Sequence, residues 1–374
     1  MSAERGDSNN PVGILTFPRS VSYGAVLQMY ALYHTVESLG YNAEIINYFN
    51  EYMAKERHLL SKQGQSPAKA AARRIIRRTV HLRMYKGFKT FEKCMKHFPD
   101  KPLRTSSALR GLSNRYGYVI CGSDQVWNPD ITGSDAGFFL DFCGEDTRRI
   151  SYAPSFGTTA FTKEFDEIIA KELRKFSALS VREKQGQEKV RELTGRIPEL
   201  VLDPTFLLSA DDWSKLASPM NVCSPYILYY PVIRNDKTKR FCQSLSEKKG
   251  LDILMIGGSF ISANKRHDHG MRHIHDIDPR QWLYLFLNAE YIVTDSFHGL
   301  AFSVIFRKKV FPALVSNTNS RLEHLISMLG LEGQVIRDGG TISDPDYTIA
   351  DRLLPKMQEH SVEFLKKALN TDVI

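Results

Sequence analysis

The sequence predicts an α/β protein made of two Rossmann-like, doubly wound domains facing each other across a cleft. Three observations carry this expectation. Short apolar runs rich in Val, Ile, Leu and Tyr alternate with helical segments, as parallel βαβ units do. The runs fall into two series, parted by a polar stretch with two prolines, Ser209 to Pro225. The chain has 374 residues, more than one hydrophobic core ordinarily organises. The expected domains span 11–215 and 222–350. The first carries a basic helical insertion at about 52–104. A C-terminal helix follows at 351–374, and its return to the first domain is left open.

The elements follow in order. VGILTF, 12–17, is an apolar strand, and PRSVSYGAVLQMYALYHTVESLG continues as a loop and a helix that stops at Gly40. AEIINYF, 43–49, closes the first βαβ unit. Beyond the insertion come the strands GYVICG (117–122), RRISYA (148–153), ALSV (178–181) and ELVLD (199–203). The last two are separated by the helical KQGQEKVRELTG. The second series holds YILYYPVI (226–233), LDILMIGG (251–258), YIVTDS (291–296) and KKVFPALV (308–315).

Composition narrows the class. Hydrophobic residues make up 42% and charged residues 25%, ordinary values for a soluble globular chain. No apolar run approaches the ~20 residues that span a bilayer, and MSAERGDSNNP lacks a signal core. Cys94, Cys121, Cys143, Cys223 and Cys242 are widely spaced and form no C-x-x-C. A reducing, cytoplasmic setting is therefore expected. The net charge of +8 sits in one segment, because 55–104 holds fifteen Lys/Arg against three Asp/Glu. Phe88, Phe91, Met95 and Phe98 recur there at helical spacing, which makes 67–98 a basic amphipathic helix. It reads either as a solvated face packed on its own protein or as a peripheral contact with an anionic membrane surface, at the inner face of the plasma membrane. Nucleic acid is not an expected partner.

Residues able to do chemistry gather where strands end. VGILTF is followed by Ser22, Tyr23 and Gly24, with Gln28 one turn on. GYVICG is followed by Ser123, Asp124, Gln125, Trp127 and Asn128. RRISYA leads to Ser155 and Gly157, ALSV to Arg182 and Glu183, ELVL to Asp203, and YIVT to Asp295, Ser296 and His298. In open α/β sheets the carboxyl edge of the strands is where ligands bind. HDHGMRHIHD, with His267, His269, His273 and His275, reads as a charged loop, and a metal is not expected there.

Six of these stretches, SYGAVLQMYAL, YVICGSDQVWN, SYAPSFG, SVRE, VLDPTFLL and VTDSFHGLAFS, stand in an order that resembles the polysaccharide pyruvyl transferase family. The resemblance covers roughly residues 12 to 330. It implies a fold like that of GT-B glycosyltransferases. It also implies transfer of the pyruvyl group of phosphoenolpyruvate to two hydroxyls of a sugar or lipid-linked saccharide, in capsular or exopolysaccharide biosynthesis. Phosphoenolpyruvate is then the donor substrate, and the reaction requires no metal or redox cofactor.

The donor carries a carboxylate and a phosphate, so its site needs cations and helix N-termini. His298 is the leading acid/base candidate, and Arg182 the fixed cation for the donor's anionic groups. In some branches of the family the histidine is preceded by Arg-Leu, where this chain has Ser296 and Phe297. Arg321 is the candidate that makes up for the missing arginine. Asp124 is suited to act as base toward a sugar hydroxyl, with Gln125 and Asn128 binding hydroxyls. Ser155, Gly157, Asp295, Ser296, Gly24 and Gln28 complete the expected substrate contacts. A nucleotide-sugar glycosyltransferase and a binding homologue without catalysis are the rival readings.

Overall fold

The computed structural model describes residues 11–54, 85–157, 161–223, 225–257, 270–315, 320–337 and 343–370. They form two compact units. One holds the described residues up to Leu208, without 85–92, together with those from Leu354. The other holds 85–92 and Ser209–Leu353.

The first unit is built on parallel strands β1 (Val12–Leu15), β2 (Ala43–Ile45), β3 (Tyr118–Cys121) and β4 (Arg148–Ser151), in the order β2-β1-β3-β4. A parallel bridge between Ile150 and Ala178 leads from β4 towards β5 (Ser180–Val181), which pairs with β6 (Glu199–Leu200). Every strand residue of β1 is buried, as expected of a central strand covered on both faces. The strand order reverses between β1 and β3. The helix Tyr23–Ser38 follows β1 and buries most of its length.

The second unit holds β7 (Tyr226–Tyr230), β8 (Asp252–Ile256), β9 (Met271–Ile274), β10 (Tyr291–Thr294) and β11 (Lys309–Pro312). All pairs are parallel, in the order β11-β10-β7-β8-β9. Here the order reverses between β7 and β10. The helix Phe297–Ile305 leaves β10 at that reversal. Phe302, within it, lies edge-on to Trp213 and Trp282, with ring centroids 5.0 and 5.2 Å away.

Several expectations need correction. Strand β9 lies in the His-rich segment read as a loop. As an edge strand it buries only Ile274 and leaves Arg272 exposed, so its pattern lacks the apolar density of the inner strands. The polar stretch that parts the two strand series is not unstructured: it begins with the helix Ala210–Leu216, opened by a reciprocal Ser209–Asp212 capping box and anchored by the buried Trp213. The apolar stripe of the basic segment is buried at Phe88, Phe91 and Met95, while Lys86, Lys89, Lys93 and Lys96 are exposed. That stripe packs on the protein itself and leaves only charge for a membrane. The remainder of the segment, 55–84, lies outside the described residues. Among the described residues no helix is long and apolar enough to cross a membrane.

The final helix, Thr348–Leu369, groups with the second unit at its start and with the first from Leu354. Its later residues bury Ser361, Leu365 and Leu369.

Candidate active site

In the first unit the loops after β3, β4, β5 and β6 meet around one guanidinium. Arg182 follows β5, and its side chain is 1% exposed. Nη1 donates to Asp203 Oδ2 at 2.7 Å and Nη2 to Asp124 Oδ1 at 3.2 Å, while Nε lies 3.5 Å from Glu183 Oε2. Burial alone would favour the neutral guanidine, but the three carboxylates overcome it and raise the pKa. Among the described residues the cluster carries more carboxylates than cations.

Asp203 is its hub. Oδ2 also lies 3.1 Å from Ser123 Oγ, and Oδ1 accepts from the Thr205 amide and hydroxyl at 3.1 and 2.9 Å. Asp203 caps the short helix Pro204–Leu207 with one oxygen, and its second oxygen organises the cluster. Asp124 has a left-handed backbone, φ 70°, in a bridge to Pro154, and its side chain is 14% exposed. It is the cluster's carboxylate nearest to solvent.

Around this core the loops lock one another. Ser155 Oγ donates to Glu183 Oε1 at 2.5 Å and accepts the Gly157 amide at 3.1 Å. Gly157 has φ 67°, and a Cβ there would stand 2.1 Å from Gln125 Oε1 and 2.6 Å from Asn128 Nδ2. Those two amides bond to each other at 2.9 Å, and Asn128 also caps the helix Pro129–Thr132. Gln125 and Gly157 are part-exposed, and Ser155 and Asn128 are buried behind them.

Two expected contacts turn out to be internal. Gln28 is fully buried and spans the β1–β3 reversal, donating to Thr16 Oγ1 at 2.8 Å and accepting from the Ser123 amide at 3.1 Å. It holds the Ser123–Asp124 loop and does not face a ligand. Gly24 is buried in the first turn of its helix, and Ser22 makes no side-chain cap there. Trp127 stacks on Phe139 and donates to the Phe138 carbonyl at 3.0 Å, so it belongs to the core. Arg182, expected to meet the donor, is enclosed by acids in this conformation and holds them in place.

The second unit builds a different edge. Ser296 caps the helix Phe297–Ile305, its Oγ accepting from the Gly299 amide at 3.1 Å. His298 therefore lies in the first helical turn, 8% exposed, its ring edge-on to Phe297 at 5.2 Å. A Cβ at Gly299 would come within 2.5 Å of Thr294 Oγ1, so glycine lets this helix start tight against β10. Where an arginine would stand, Ser296 replaces charge by a cap. Asp295 binds the loop after β7. Its oxygens accept the Val232 and Ile233 amides at 2.5 and 2.8 Å, pinning the loop after β7 across the reversal. Burial raises the Asp295 pKa, opposed by those two amides. Arg321 is half-buried in the first turn of the helix Ser320–Leu329, which packs on the His298 helix.

A separate cavity of about 370 Å³, lined by Arg148, Arg149 and Lys175 among others, lies at the start of β4, away from the strand ends that carry these residues. Among the described residues no group of His, Cys, Asp and Glu could hold a metal ion. His267 and His269 lie outside them.

A family model described as Polysaccharide pyruvyl transferase matches residues 23–317. No curated protein matches the chain. Among solved structures, the Neisseria meningitidis UDP-GlcNAc 2-epimerase bound to UDP-GlcNAc aligns over 96% of this chain and 93% of its own, at 8% identity and a TM-score of 0.52. A Listeria monocytogenes protein assigned as a UDP-N-acetylglucosamine 2-epimerase aligns over 96% and 91%, at 10% identity and a TM-score of 0.51. The E. coli heptosyltransferase WaaC with ADP aligns over 94% and 99%, at 12% identity and a TM-score of 0.43. At such identities the likeness concerns the fold alone, and that fold is GT-B.

Proposed function

Because the chain belongs to the polysaccharide pyruvyl transferase family, we propose that it moves the pyruvyl group of phosphoenolpyruvate onto two hydroxyls of a sugar, forming a ketal and releasing phosphate. The observation that carries this reading is His298 in the first turn of a helix at the strand-order reversal of the second unit. A helix N-terminus and a neighbouring arginine suit a small, multiply charged anion. Arg321 is the arginine on the adjoining helix.

In this mechanism His298 gives a proton to the methylene carbon of the donor, which becomes the methyl group of the ketal. The cation that develops at the adjoining carbon is attacked by the first sugar hydroxyl, whose proton passes to Asp124. The carbon–oxygen bond to phosphate then breaks, phosphate leaves with the bonding pair, and the second hydroxyl closes the ring. The proton of that second hydroxyl departs with phosphate. Arg182 holds Asp124 in place, and Gln125 and Asn128 bind acceptor hydroxyls near the Gly157 turn.

The excess of carboxylates around Arg182 supports an acceptor role for that edge, since it repels a trianionic donor and suits neutral hydroxyls. The acceptor class that fits the basic, solvent-facing Lys86, Lys89, Lys93 and Lys96 is a saccharide on an anionic lipid, met at a membrane surface in the assembly of capsule or exopolysaccharide. Incubation with phosphoenolpyruvate and a panel of free and lipid-linked saccharides tests the reading. Phosphate release and the matching mass gain of one acceptor are expected. Turnover of a nucleotide sugar without phosphate release from phosphoenolpyruvate would overturn it. Binding to anionic vesicles is expected to vanish in high salt, because the aromatic stripe at 88–95 is already buried.

A further inference from the structure

We propose, on the pyruvyl-transfer reading above, that Ser361 and Tyr152 are positioning residues for the acid cluster. Ser361 is supplied by a helix beyond the matched region 23–317. Leu202 stands immediately before Asp203. Its N–H is accepted by Ser361 Oγ at 2.9 Å, and its carbonyl receives the Tyr152 hydroxyl at 3.0 Å. Strand β6 ends at Leu200, and Val201 still donates to the Val181 carbonyl at 3.0 Å. From Leu202 onward, side chains from two distant parts of the chain take over from backbone pairing.

Both side chains are fully buried. A buried helical serine ordinarily satisfies itself by returning its proton to the carbonyl four residues back, and Ser361 does so with Met357 at 2.6 Å. That bond spends its only proton and leaves a lone pair for the Leu202 amide. The Tyr152 ring lies 6.3 Å from that of Phe364, on the same helix, so the helix also steadies the phenol. The two bonds fix the peptides on either side of Leu202 and therefore the origin of the Asp203 side chain. Asp203 holds Arg182, and Arg182 holds Asp124. Two neutral hydroxyls thus set where the base stands, at three removes from substrate.

Four variants test this: Ser361→Ala, Tyr152→Phe, Ser361→Thr and, as a control on the same helix, Leu369→Ala, which removes a fully buried aliphatic side chain. Ser361→Ala is expected to lower kcat roughly tenfold to a hundredfold, the range that small misplacements of a reacting group produce. The KM for phosphoenolpyruvate should stay unchanged. Tyr152→Phe should act in the same sense, and Ser361→Thr, which keeps the hydroxyl, should recover part of the loss. Leu369→Ala should lower Tm comparably with kcat intact. Crystal structures of wild type and Ser361→Ala should show the bond from Arg182 to Asp203 lengthened in the variant. Equal losses of kcat in Ser361→Ala and Leu369→Ala, or an unmoved Asp203, would overturn the inference. A wild-type protein that releases no phosphate from phosphoenolpyruvate would instead overturn the functional reading, and the displacement of Asp203 would still decide the clamp.

Discussion

The two units present strand-end loops of similar topology and opposite chemistry. In the first, Asp124, Glu183 and Asp203 crowd one enclosed guanidinium. In the second, a single imidazole stands on a helix N-terminus beside a loop pinned by Asp295. Each lies where strand order reverses in a parallel sheet, so topology selects the place and leaves the charge to the loops. The acid-rich edge suits hydroxyl groups, and the edge with the helix terminus suits anions. On the proposed reading this difference would be a division of labour, and each half of it can be attacked separately.

The largest effect is expected at the second edge. His298→Ala should reduce turnover by roughly 10²–10⁴ while the melting temperature hardly moves, measured by phosphate release and calorimetry. A drop below tenfold would remove the histidine from proton transfer. At the first edge the main loss should appear in stability. Arg182→Met leaves three carboxylates at a buried position without their cation, which costs about 3–5 kcal/mol. Urea denaturation should show part of that loss recovered as pH falls and the acids protonate. An Arg182 variant that kept its stability but lost affinity for phosphoenolpyruvate would return the guanidinium to the donor.

A smaller and more selective effect is expected from Gly157→Ala. Its Cβ would strike Gln125 and Asn128, raising the acceptor KM roughly tenfold, about the loss of one good hydrogen bond, while the donor KM stays the same. The smallest effect concerns pH. Burial raises Asp295 above its value in the unfolded chain, so its contribution to stability is full below the ordinary carboxylate pKa. That contribution is lost as pH rises through the folded-state value. Asp295→Asn should flatten this part of the curve of unfolding free energy against pH, and an unchanged slope would assign the slope to other groups.

Much of the fold was legible because inner parallel strands are nearly continuous apolar runs, as in VGIL and YIVT. The exceptions are instructive. Strand β9 hides at an edge with Arg272 and His273 showing, and Trp213 hides a packed helix in front of Pro219 and Pro225. The candidate site was legible as a set of strand ends, since Asp124, Arg182 and His298 each fall within four residues of the end of a strand. Their partners were not. Asp203 meets Ser123 across eighty positions, and Ser361 meets Leu202 across 159. No local pattern marks such pairings, because they depend on which elements the topology brings side by side.

That the first unit is assembled from separated stretches of chain has a consequence for how such proteins can be shuffled. A crossover placed once, after Leu208, would import a foreign final helix and set an unrelated residue against Leu202. An exchange of the second unit between relatives therefore needs a second joint near Leu354, so that each first unit travels with the tail that braces it.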